Sequence, residues 1–151
     1  MSHVNLIAAD KELPCTGWEQ VKENTIFVIN NRPAILDDEI CMVAPHEYYR
    51  DSVDDLGLEM KPFQYELNFY PCRGHLNRLL AYLRDNFSLG EEVELWSLWV
   101  GLGGGRVHRY RGRLSEFDLD TLGMLYEIQH EPDLTGEYDD LICQVCLTVE
   151  I

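Results

Sequence analysis

Lysine and arginine are scarce in this chain. They occupy 12 of its 151 positions against 27 aspartates and glutamates, a formal charge of -15 with the histidines neutral. A surface this acidic repels phosphate backbones, so nucleic acid is excluded as a partner unless a local basic patch overcomes the field. A basic protein is the easier companion. Long apolar runs are also missing: none approaches the roughly 18 residues that span a bilayer, and Met1 to Asp10 has neither the basic start nor the apolar stretch of a signal peptide. No membrane association and a cytoplasmic location are expected. Cysteine is limited to an odd set, Cys15, Cys41, Cys72, Cys143 and Cys146, with no framework spacing. Free thiols in a reducing compartment follow.

What is present is enough for one core. A chain of this length buries roughly 70% of its unfolded surface, and a single domain over residues 1–151 is expected. From Phe63 onward the pattern is orderly. Phe63, Tyr65, Leu67 and Phe69 alternate with polar neighbours, the period of a half-buried strand. His75 to Phe87 places Leu76, Leu79, Leu80, Leu83 and Phe87 on one helical stripe. Val93 to Gly101 is apolar on both faces. The glycine-rich run 101–105 opens a strand rather than a helix, which favours a hairpin turn over a phosphate loop. Arg106 to Leu114 returns as a strand with Arg109, Arg111 and Arg113 on one face. Ser115 to Asp118 resembles a capping box ahead of a helix reaching about Ile128. Leu141 to Ile151 closes the chain as an apolar strand.

This order, β-α-β-β-α-β over residues 61–151, resembles the split βαβ or ferredoxin-like arrangement, which implies an α+β fold: an antiparallel sheet with two helices on one face. Residues 1–60 read as a β-rich extension, with strands at His3 to Ala9 and Thr25 to Asn30, a turn at 31–33, a strand at Ala34 to Val43 interrupted by Asp37-Asp38-Glu39, and a short helix within Glu47 to Leu56.

Candidate chemistry is thin. Cys143 and Cys146 form a C-x-x-C pair, but residues three apart on a strand diverge, and no second pair completes a metal site. Cys72 precedes a helix and has Arg73 and His75 beside it, the surroundings that lower a thiol's pKa, so a cysteine-dependent enzyme using Cys72 and His75 is the third-ranked reading. The acidic groups around 37–39, 51–55 and 137–140 lack EF-hand spacing, and the five histidines are dispersed; no cofactor or metal is expected.

The sheet face away from the helices is the candidate surface. It carries Glu66, Asn68 and Tyr70 from the first strand of the unit, the three arginines from the third, and Glu150 from the last. The ferredoxin-like order makes those first and third strands neighbours, so Glu66 and Glu150 should pair with the arginines, and Trp96 or Trp99 should supply an aromatic anchor. The favoured function is a non-enzymatic protein-interaction module, in concrete form a small acidic inhibitor or immunity-type protein that meets a basic partner. Small-ligand binding or sensing ranks second.

Overall fold

The computed structural model describes residues 2–16, 26–29, 32–35, 42–101, 106–126 and 143–151. Their elements run β1 (Ser2–Ala9), β2 (Ile26–Ile29), β3 (Arg32–Ile35), β4 (Met42–Pro45), α1 (Arg50–Asp54), β5 (Phe63–Asn68), α2 (Arg73–Asn86), β6 (Glu92–Val100), β7 (Arg106–Arg113), a 3₁₀ turn (Leu114–Glu116), α3 (Leu119–Tyr126) and β8 (Cys143–Glu150). The fold is α+β, with a mixed six-stranded sheet and a separate β2-β3 ribbon.

The strand order is β4-β5-β1-β6-β8-β7, antiparallel throughout except for the parallel β7-β8 pair. This is not the ferredoxin-like order. Two differences carry the change. First, β1 lies between β5 and β6 and so is the middle of the sheet, where the sequence reading made it an extension. Its VNLIAA stretch is apolar on both faces, and Leu6, Ile7, Ala8 and Ala9 are all fully buried. A strand of that kind is stable only with neighbours on both sides. Second, β8 inserts between β6 and β7, so these two strands do not pair as the hairpin the sequence suggested. The reason lies in the two sequences: β8 is buried on both faces at Val145, Cys146 and Leu147, whereas β7 reads RVHRYRGR and is mostly exposed. Arginine-rich strands go to edges and apolar strands go inside.

Register fixes the two faces. Ile7 lies opposite Tyr65 and Leu95, and Leu95 opposite Leu147; this face packs Leu76, Leu79 and Leu83 of α2 and Leu122 and Leu125 of α3. Leu6 lies opposite Glu66 and Trp96, and Trp96 opposite Cys146, on the other face. There Val53 of α1, with Leu56, Leu58 and Met60 after it, covers Leu6, Trp96 and Leu98. The second face is therefore roofed at its centre, where the sequence reading left it open.

The helices sit close to their predicted positions. Cys72 is the extended N-cap of α2, and Phe87 returns to extended backbone at its end. Gly90 follows with φ 90°, the left-handed conformation that glycine adopts without strain. Before α3, Leu114–Glu116 forms a 3₁₀ turn in place of the expected box at Ser115, and Asp118 is the residue that caps: its Oδ1 accepts from the Thr121 backbone N–H at 2.9 Å and from the Thr121 hydroxyl at 2.8 Å. The expected strand interruption at 37–39, the end of the second helix at Ile128 and the acidic loop at 131–140 lie outside the described residues.

Candidate binding surface

The period-two reading of β7 holds. Arg109 is opposite Cys146, Arg111 opposite Thr148 and Arg113 opposite Glu150, so the three arginines share the face of Trp96. Their partners only half match expectation. Arg111 binds Glu150 at 2.8 Å and also Glu92, from the strand beyond β8. The hydrogen bond from Arg111 holds the Glu92 carboxyl below the usual carboxylate range. Arg109 donates to the Glu59 carbonyl at 3.1 Å and lies over the Trp96 ring, 5.1 Å from its centroid. The Arg113 guanidinium makes no ion pair among the described residues.

Glu66 is not part of this cluster. Three strands, β1, β6 and β8, separate β5 from β7, which at about 4.8 Å per strand puts Glu66 roughly 19 Å away. The predicted pairing fails because it rested on a neighbour relation the sheet does not have. Asn68 is exposed at the end of β5, opposite Met42. Tyr70 has left the strand and packs against His75 and Tyr126, with ring centroids 5.9 and 5.8 Å away. Trp96 is 1% exposed and cannot be a surface anchor. Trp99 belongs to the opposite face, across from His3, with ring centroids 5.1 Å apart. Its main chain is clamped by the buried Gln144 side chain, which accepts from the Trp99 N–H at 2.7 Å and donates to its carbonyl at 2.8 Å. That clamp replaces ladder bonds just beyond the last β6-β8 pair, Ser97 with Val145.

The remaining candidates are also placed. His75 is buried, and its Nδ1 accepts the Tyr70 backbone N–H at 2.7 Å, so the ring pins the turn between β5 and α2. Cys72 is half-buried at the N-cap. Burial pushes the Cys146 thiol up to about 12, with the Glu94 charge adding to it; this is a packed thiol, inert at neutral pH. Cys143 lies in β8, and Cys41 lies outside the described residues. No group of three His, Cys, Asp or Glu among the described residues is arranged to hold a metal, and no helix among them is long and apolar enough to cross a membrane.

Two features escaped the sequence reading. One is a cavity of about 240 Å³ beside the start of α1, lined by His46, Glu47, Arg50, Gln64 and Tyr65 among others. His46 is 3% exposed, and neither ring nitrogen has a hydrogen-bond partner among the described residues; Glu66 Oε1 lies 4.0 Å from Nδ1 and likewise has none among them. The other is a cavity of about 200 Å³ at the outer end of β7, between Gly112 and the turn that leads into α3. Neither has a sequence signal, since both depend on segments distant in the chain.

No family model, no curated protein and no solved structure matches this chain. The site is therefore read from its own chemistry.

Proposed function

We propose that this chain is a non-enzymatic interaction module that binds another protein, in the concrete form of a small acidic inhibitor or immunity-type protein meeting a basic partner. The observation that carries the reading is the unneutralised charge. Three of the cations are already committed internally: Lys11 to Glu91 at 2.9 Å, Lys61 to Asp10 at 2.6 Å, and Arg111 to two carboxylates. An excess of 15 carboxylates remains, from 27 acidic against 12 basic residues. Such a field steers a basic protein inward and rejects acidic ones. The enzyme reading is weakened because His75, the base that Cys72 would need, spends Nδ1 on the backbone.

The test is capture on the immobilised chain at low ionic strength. Recovery of a basic protein whose association falls steeply as salt is raised supports the reading; an empty column at about 20 mM salt, where screening is weak, counts against it. The second reading, small-ligand binding, is favoured by the cavity at His46. A thermal-shift screen separates the two, because a small ligand specific for the folded state raises stability by mass action without any protein partner.

A further inference from the structure

We propose that β7 is a docking edge: an extended segment of a partner protein pairs with its outer side, seating an apolar side chain in the cavity beside Gly112 and a carboxylate against Arg113. This rests on the reading of the chain as an interaction module and says where, and by what chemistry, it binds.

β7 pairs with β8 along its whole length, from Arg106 opposite Cys143 to Arg113 opposite Glu150, and with nothing else among the described residues. Six of its residues are exposed; only Val107 and Gly112 are half-buried. The Arg113 N–H already donates to Glu116 Oε2 at 3.5 Å, and the outer N–H and C=O groups before it are a template for one more strand. An added strand would alternate faces in step with β7. On the face of His108, Tyr110 and Gly112 it meets the cavity, which is lined by Phe117, Leu147 and Val149 together with the polar Glu116 and Thr121. A cavity of about 150 Å³ lined by apolar groups accepts a benzene ring, so this one has room for a single Leu or Phe side chain.

Gly112 is what keeps the socket open. Its φ is not left-handed, and a Cβ built there would meet nothing within 4 Å, so the backbone does not require glycine. The next residue, on the opposite face, is Arg113, whose guanidinium has no carboxylate among the described residues, whereas Arg111 already has two. An apolar residue followed or preceded by an acid is therefore the matching pair.

A second copy of this chain is the wrong occupant. Antiparallel pairing of β7 with itself would set arginine against arginine across the new ladder, which is destabilising. The same edge that rejects its own copy accepts a strand bearing a carboxylate. Acidic surroundings do not prevent this, since charges beyond about 8 to 10 Å are screened at physiological salt.

The experiment uses fluorescein-labelled Thr/Val peptides of about nine residues, long enough to cover β7. One carries a central Leu-Glu pair, the second Leu-Lys, the third Gly-Glu, and the fourth is the Leu-Glu peptide N-methylated along one edge. The Leu-Glu peptide should bind saturably below about 1 mM, and the others weaker by about tenfold or more. Gly112→Val should keep or raise the unfolding midpoint and still weaken binding by about tenfold. Arg113→Glu, an exposed change, should invert the preference toward Leu-Lys. No binding of the Leu-Glu peptide up to about 1 mM, equal binding of all four peptides, or indifference to both substitutions would overturn the docking edge. Capture of a basic protein under those outcomes would leave the interaction-module reading intact and remove only the edge.

Discussion

Burying His46 beside Glu66 sets two protonation states against each other. Loss of solvent and then the Arg50 charge hold the His46 imidazole below its usual range, with Asp54 opposing; burial holds the Glu66 carboxyl above its usual range. The 4.0 Å between them is too long for a hydrogen bond. The consequences for stability have opposite signs. The depressed histidine contributes fully above its unfolded value of 6.5, and that contribution is lost as pH falls toward its folded pKa. The raised carboxyl contributes fully below its unfolded value of 4.5, and that contribution is lost as pH rises through its folded pKa. At pH 7 the histidine is therefore at ease and the glutamate is not. Glu66→Gln keeps the shape and removes the ionisation, so at pH 7 it should stabilise by about 1 kcal/mol, the scale of a buried polar group left without a partner. The gain should shrink toward pH 4, where the wild-type carboxyl is protonated both folded and unfolded. Urea unfolding at the two pH values decides it; a destabilised Gln variant at pH 7 would mean that Glu66 is ionised and has a partner.

At the scale of elements, the sequence was legible where a pattern is local. The helical stripe at 75–87, the strand at Phe63, the arginine face of β7 and the short helix after His46 all follow from spacing within one segment. Strand order did not follow, because a period of two says that a strand has a buried face and not which strand lies beside it. The composition of β7 and β8 held the missing information: an arginine-rich strand cannot occupy the interior, and a strand apolar on both faces cannot occupy the edge. Glu92 escaped as a partner of Arg111 for the same reason, since their contact crosses β8. Amide exchange tests this order directly. β8 has neighbours on both sides, so the amides of residues 145–149 should be protected without interruption. β7 has one neighbour among the described residues, so its amides should alternate between protected and fast along the strand. Uniform protection along β7 would show that something already covers its outer edge, and would remove the docking proposal with it.

At the scale of the whole molecule the charge of -15 acts as a field. A folded chain of this length has a radius of gyration of about 15 Å, while the screening length is about 30 Å at 0.01 M salt and about 8 Å at 0.15 M. At low salt every carboxylate therefore feels the others across the molecule, and folding concentrates that repulsion; at physiological salt only near neighbours interact. The internal pairs at Lys11, Lys61 and Arg111 weaken with salt too, but they are exposed or half-exposed and contribute little. The unfolding midpoint should accordingly rise by a few degrees between about 0.01 and 0.15 M sodium chloride, because relieving self-repulsion outweighs the loss of these four surface pairs. A bound polycation should do the same work as salt and more, since it binds the folded surface preferentially. Polylysine added at about 0.01 M salt should raise the midpoint, and the increment should fade by about 0.15 M as the two neutralising mechanisms compete for the same carboxylates. A midpoint that is flat or falls with salt, and ignores polylysine, would mean that the acidic residues are neutralised pair by pair within the chain, leaving no field with which to recognise a basic partner.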